Sequence, residues 1–269
     1  PEQSYTLPQG KLIYGSAAAF STVMKREISS AKNRGNAVVS LYAGDSFLAS
    51  KNLICSNPAD SSSTIPVYDG LAQSMMPYDA HILGNHEFDN GIEKLSKSLK
   101  HANFSFLNSN YTFKNTPLEN KIKKYQVFNV DGIKIGVFGL GIELNGLVEK
   151  NLYNGVKYLD PIEISKDITN ELKFNQNCDL IICLSHLGFS YSKDKNLMCD
   201  LILAKKTRNI DLIIGGHTHT FLEKPIEIKN LDNKNVLVNQ VGCFGINLGK
   251  IDFYFSNDPG IQKSENIKV

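Results

Sequence analysis

Four short apolar runs in this chain each end in residues that bind or move charge: Gly44-Asp45, Gly84-Asn85-His86, Ser185-His186 and Gly216-His217-Thr218-His219. Four of the six histidines sit in these clusters. Imidazoles, a carboxylate and an amide oxygen together suit Zn, Mn, Fe or Ni rather than Mg or Ca alone. A carboxylate such as Asp45 can give one oxygen to each of two ions held about 3.5–4 Å apart. A glycine just ahead of a ligand lets the backbone turn sharply and come close to an ion. His217 and His219 are two residues apart, so they point the same way on an extended segment and straddle a metal pair on a turn. Plainer roles exist for each residue taken alone. Asp45 could cap a helix, Asn85 could form a turn, and His86 with Asp89 could be a local turn-stabilising pair. His186 could be a capped core histidine, and His217 and His219 could face solvent. Their joint placement at strand ends favours the chemical reading. His81 and His101 belong to no such cluster and read as structural.

The elements that must position these residues are legible from periodicity. Residues 1–15, with Pro8 and Gly10, read as a loop. Positions 17–34 carry Phe20, Val23, Met24, Ile28 and Ala31 on one face and predict a helix, with Gly35 as its C-cap. The continuous apolar run over 37–43 predicts a strand buried on both faces. A Ser-, Asn- and Pro-rich loop over 56–64 and a helix over 67–76 come next. Then come a strand over 80–83, a helix over 92–101 and a strand over 105–108. Residues 124–140 predict a hairpin turning at Asp131-Gly132. Pro161 marks a helix start, with the helix over 162–174. The rest reads as strand 179–184, helix 194–207, strand 211–214, and two strands within 235–255. Asp179 and Asp211 read as turn residues opening their strands. In open α/β sheets the ligand site lies at the carboxyl ends of the strands, which is where the four clusters fall.

Composition bounds the reading. A length of 269 residues fits one large α/β domain, with no internal repeat and no low-complexity linker. Hydrophobic residues at 42% and charged residues at 21% exclude a disordered chain. No apolar run approaches the roughly 18–20 residues of a membrane span. Lys+Arg 29 against Asp+Glu 27 leaves a net charge of +2, too balanced for a nucleic-acid binder. Five cysteines without close pairing predict neither a disulfide scaffold nor a zinc ribbon.

The runs GDSF, GNHEFDNG, SHLG and GGHTHTF, in this order, resemble the calcineurin-like metallophosphoesterase superfamily. With VNQVGCFGINLGKIDF, the resemblance narrows to the catalytic domain of the 5′-nucleotidase/UDP-sugar hydrolase family and runs from Gly15 to Phe255. It implies a four-layer αββα sandwich, two mixed β-sheets flanked by helices. It also implies that Asp45 bridges two divalent metal ions, that Asn85, His186 and His217 complete one site, and that His219 belongs to the other. His86 would be the catalytic histidine, oriented by Asp89, with a metal-activated hydroxide attacking phosphorus in line. The implied substrate is a small phosphomonoester, such as a nucleoside 5′-monophosphate, and the implied location is periplasmic or otherwise exported.

Two family features are not found in these 269 residues. The first is the Asp-x-His that opens the family's first strand and supplies two ligands beside His219. The segment Tyr14-Gly15-Ser16-Ala17-Ala18 resembles the family stretch just after that motif, so the expectation is truncation upstream rather than natural loss. The second is the C-terminal substrate-binding domain. Two rival readings stand beside the enzyme: a non-catalytic module of the same fold holding one metal, and a hydrolase of sulfur compounds.

Overall fold

The structure, a computed structural model, describes residues 4–6, 13–15, 17–46, 75–255 and 262–268. The first half of the chain contributes β1 (Ser4–Thr6), β2 (Ile13–Gly15), α1 (Ala17–Asn33), β3 (Leu41–Tyr42), β4 (Ala80–Ile82), α2 (Ile92–Ser98), β5 (Ser105–Leu107), β6 (Tyr111–Thr112), β7 (Tyr125–Val130) and β8 (Ile133–Leu140). The second contributes β9 (Lys157–Tyr158), α3 (Pro161–Asn170), β10 (Leu180–Ser185), α4 (Asp200–Lys206), β11 (Leu212–Gly215), β12 (Ile226–Lys229), β13 (Asn235–Asn239), β14 (Asn247–Phe253) and β15 (Gln262–Lys268).

Two sheets form the centre. The larger has the order β12-β13-β11-β10-β8-β7, with parallel pairs inside and an antiparallel strand at each edge. The smaller runs β3-β4-β5, all parallel. Side chains alternate along each strand, as a strand buried on both faces requires. On β10, Leu180, Ile182 and Leu184 face the smaller sheet, where they meet Ala80, Ile82 and Leu107. Ile181 and Cys183 face the opposite way, onto Ile168 of α3 and Leu203 and Ala204 of α4. On the far side, Phe20 and Met24 of α1 pack with Tyr42 and Tyr78, and Leu95 of α2 packs with Phe106. Helices, sheet, sheet and helices make a mixed α/β fold of four layers, the αββα arrangement.

Three aspartates set the register where strands begin. The Ser40 amide donates to Asp79 Oδ2 (2.7 Å), the Lys134 amide to Asp179 Oδ2 (2.8 Å) and the Ile181 amide to Asp211 Oδ2 (2.8 Å). Asp179 and Asp211 therefore open their strands by tying down the neighbouring strand. Asp160 caps α3, accepting from the Ile162 and Glu163 amides, and Pro161 occupies its first position. At the end of α1, Gly35 (φ 80°) donates its amide to Lys32 O at 2.9 Å, the left-handed stop expected there.

Several expected boundaries shift. Within 1–15, β1 and β2 pair antiparallel, Tyr5 opposite Tyr14. Tyr5, Thr6, Ile13 and Tyr14 are residue types that favour a strand. Only Leu41–Tyr42 of the run 37–43 joins a ladder. The helix expected over 194–207 begins at Asp200, because Asp194 Oδ1 accepts the Asn196 amide and folds that stretch into a turn. The helix from Pro161 widens over Glu171–Asn175 into a turn with i→i+5 hydrogen bonding. Short strands β6, β9 and β12 lie where no strand was expected. The loop expected over 56–64, the helix expected over 67–76 up to residue 74, and Cys55 lie outside the described residues. The four described cysteines are free thiols, three of them buried.

Candidate metal centre

Each of the four clusters lies just past the carboxyl end of a strand: Gly44-Asp45 after β3, Gly84-Asn85-His86 after β4, His186 after β10, and Gly216 to His219 after β11. Two of these strands belong to each sheet, so the site sits on the rim where the sheets meet. The turns are tight and strained. Asp45 (φ 58°), His217 (φ 69°) and His219 (φ 54°) all adopt the left-handed backbone that bulky residues avoid. A Cβ on Gly44 would lie 2.7 Å from Gly84 N and 2.8 Å from His186 Nδ1, and one on Gly84 would collide with the Asp45 carboxylate. Without glycine at both positions the β3 and β4 turns could not close on each other.

Asp45, His186 and His217 present ligand atoms that all lie within 4.8 Å of one another. Asn85, also buried, joins them, with its Oδ1 3.0 Å from His217 Nδ1. His219 stands apart on the rim, exposed, its ring 5.9 Å from that of Phe244. His86 and Asp89 form a local pair, Nδ1 to Oδ2 at 2.7 Å, and the His86 amide donates to Asp45 Oδ1 at 2.9 Å. His81 is a core residue, stacked on Tyr42 and Phe104 and hydrogen-bonded to Ser46 Oγ.

One contact decides whether these side chains suit a cation. His186 Nδ1 lies 2.7 Å from the Ala43 carbonyl oxygen, so that nitrogen carries the proton. In the neutral ring the other nitrogen, Nε2, then presents a lone pair. It is buried, makes no hydrogen bond, and faces Asp45 Oδ2 at 2.8 Å. Two acceptors aimed at each other in a dry site need a positive species between them, a second ring proton or a metal. The backbone-anchored imidazole beside a carboxylate is the arrangement that orients metal ligands.

Electrostatics agree. Burial alone would raise the Asp45 carboxyl, but His186 outweighs it and holds the pKa at about 2, so Asp45 remains anionic. Burial lowers His217 to about 4, leaving a neutral ring with a free lone pair. Burial opposes charge on His186, yet Asp45 outweighs it and raises the pKa, so this side of the ring favours a positive species beside it. The hydrogen bond to Asp89 raises His86 to about 9, which keeps that ring protonated at neutral pH.

Two residues essential to the site's shape carried no expectation. Buried Glu87 takes four hydrogen bonds: Oε2 from the Asp45 (2.9 Å) and Gly84 (2.6 Å) amides, Oε1 from the Ser46 amide (2.6 Å) and hydroxyl (2.7 Å). It ties the β3 turn to the β4 turn. Buried Gln240, after β13, is bonded to the Gly216–Thr220 turn. Both lie within stretches quoted for the resemblance, but nothing in a lone Glu or Gln signals burial. The run of small and aromatic neighbours around each is the only available hint.

The family description "Calcineurin-like phosphoesterase" matches residues 13–221. The chain belongs to that family. Members of this metallophosphoesterase family use divalent metal ions, and Asp45, His186 and His217 are a group among the described residues that could hold one. A 5′-nucleotidase of Vibrio cholerae is 36% identical over 177 residues, covering 63% of this chain and 31% of the relative. A snake venom 5′-nucleotidase of Crotalus adamanteus is 32% identical over 204 residues, covering 70% of this chain and 33% of the relative. Among solved structures, a 5′-nucleotidase precursor of Thermus thermophilus superposes with a TM-score of 0.81 at 26% identity, over 99% of this chain and 51% of that one. The chain thus spans about a third of these curated relatives and half of that solved structure. No helix among the described residues is long and apolar enough to cross a membrane.

Proposed function

We propose that this chain is the catalytic domain of a divalent-metal-dependent hydrolase of phosphomonoesters, acting on nucleoside 5′-monophosphates or related nucleotides at a dinuclear centre. The observation that carries the reading is the opposed pair His186 Nε2 and Asp45 Oδ2, 2.8 Å apart and flanked by His217 and Asn85, with the His86–Asp89 pair alongside. The nucleotidase relatives supply the substrate class. Asn85, His186 and His217 would hold one ion, Asp45 would contribute to both, and His219 would serve the second. When bound, such ions supply Lewis-acid polarisation of phosphoryl oxygens and a water acidified toward neutral pH. Asp89 fixes the His86 ring through Nδ1, so that Nε2 can give a proton to the phosphoryl oxygen or the departing alkoxide. Asp45 Oδ1, by accepting the His86 amide, fixes the distance between ligand and proton donor. An exported location and a separate substrate-binding domain that holds the nucleobase belong to the same reading.

The test is turnover of p-nitrophenyl phosphate and AMP by the complete gene product, with bound metal measured in parallel. His86→Ala is expected to lower kcat by about 10²–10⁴-fold without loss of metal, and Asp45→Asn to lose both. Unchanged hydrolysis in both variants overturns the reading. One rival is a binding module holding a single ion, since the described residues gather one three-residue ligand cluster, Asp45, His186 and His217. That rival requires tight uptake of one cation with no turnover.

A further inference from the structure

Residues 216–220 make a turn in which two non-glycine residues, His217 and His219, adopt the left-handed conformation that side chains disfavour. Something must hold it, and Gln240 is placed to do so. Its Nε2 donates to Gly216 O at 2.6 Å. Its Oε1 accepts from Thr218 Oγ1 at 3.0 Å and from the Thr220 amide at 2.5 Å. One buried carboxamide therefore grips the turn at its start, middle and end. The orientation is fixed by the partners: flipping the amide would set oxygen against a carbonyl and NH₂ against an N–H. Thr218 Oγ1 also accepts the Phe189 amide at 2.9 Å and lies 3.0 Å from Thr220 Oγ1, so the bonds form one network. The two histidines of the turn, His217 and His219, take no part in it, leaving their rings available. Gly216 must be glycine for the same reason: a Cβ there would lie 2.7 Å from Ala43 O and 2.9 Å from His186 Nδ1.

We propose that Gln240 is a positioning residue of the metal centre, holding the Gly216–Thr220 turn so that His217 is presented to Asp45 and His186, and thereby setting the site's affinity for a divalent cation. The inference rests on the metal-site reading above and adds to it the residue that preorganises one ligand. Groups behind metal ligands typically govern affinity by about 10–100-fold.

The experiment compares the complete chain with Gln240→Met, which keeps length and volume but removes all three bonds, and with Thr218→Val and Thr218→Ser. Titration with Mn²⁺ alone is read by calorimetry, and the metal-free proteins are read by thermal melting and by amide hydrogen exchange. Gln240→Met is expected to weaken Mn²⁺ binding by about 10–100-fold and to speed exchange of the Thr220 amide by about tenfold. Exchange on β10 should stay at wild-type values, and the metal-free melting temperature, lowered by the lost buried hydrogen bonds, should still show a folded protein at the titration temperature. Thr218→Val should weaken Mn²⁺ binding less, and Thr218→Ser, which keeps the hydroxyl, should recover it. Mn²⁺ affinity within about twofold of wild type in Gln240→Met overturns the proposal, as does unchanged Thr220 exchange. If Gln240→Met does not fold, wild-type affinity in Thr218→Val overturns it. If the wild-type chain takes up no cation, the metal-site reading fails on its own, and Thr220 exchange then decides whether Gln240 holds the turn.

Discussion

Glu87 accepts hydrogen bonds from three residues on two turns, and each of its oxygens serves two donors. A carboxylate can do this because it is acceptor-only with room for about four donors, whereas a carboxamide presents one oxygen and one NH₂. In Glu87→Gln, whichever end the NH₂ takes, it faces two protein donors in a buried site. Bonds to a charged group and the cost of leaving buried donors unmet put the expected loss at about 2–4 kcal/mol. Urea unfolding should show this as a lower midpoint at unchanged slope. The Asp45 amide loses its tether in the same variant, so cation affinity should fall even where the fold survives. His81 offers a contrast within the same layer. It is stacked among aromatic side chains, and burial lowers its pKa to about 3, so it behaves as an aromatic core residue.

At the scale of elements, glycine turns convert parallel strands into a ligand site, and their cost is local. Gly84→Ala would drive a methyl group into the Asp45 carboxylate and against His186. Overpacking of this kind is expected to cost about 1–3 kcal/mol and to abolish cation uptake, because the carboxylate displaced is the proposed ligand. Gly132→Ala is the matched control. It sits at the tip of the β7–β8 hairpin with φ 85° and nothing within 4 Å, so it should cost about 1 kcal/mol in backbone strain and leave cation uptake intact. Thermal melts and metal titration of the two variants separate strain from site disruption. The strand-to-turn junctions were legible because apolar runs leading into Gly and a polar residue are strong local signals. The hairpin at Asp131-Gly132 was legible for the same reason. Less visible was what depends on distant partners. Leu41–Tyr42 is the only laddered part of an apolar run of seven because its pairing is set by β4, and β12 is a strand only because β13 lies beside it. Asp45, Asn85, His186 and His217 were readable as a set by residue type and position. Glu87 and Gln240 were not, since their work lies entirely in contacts between segments far apart in sequence.

At the scale of the whole molecule, pH acts on stability through buried groups, and two of them pull in opposite directions. His81, lowered to about 3 by burial, favours the folded state when neutral. Its contribution is complete above its unfolded pKa of roughly 6.5 and is lost as pH falls. Asp200, fully buried at the start of α4, accepts from Ser185 Oγ at 2.5 Å, while its Oδ2 has no hydrogen-bond partner and lies against Gly215. Burial raises it from 3.8 to about 7, so the folded protein prefers the protonated acid. That preference stabilises fully below about pH 4 and is lost as pH climbs to about 7, beyond which the buried carboxylate must be carried as a charge. Since the two slopes oppose each other between pH 4 and 6.5, wild-type melts alone would hide both. The difference between wild type and Asp200→Asn removes the shared histidine term. The amide keeps the oxygen that Ser185 bonds and never ionises, so Asp200→Asn should equal or trail wild type at pH 4.5. It should gain on wild type through pH 7, reaching an advantage of about 2–4 kcal/mol at pH 8. Chemical unfolding of both proteins at those pH values checks it, and a difference that stays flat with pH would show Asp200 to be ionised in the fold with its charge already compensated.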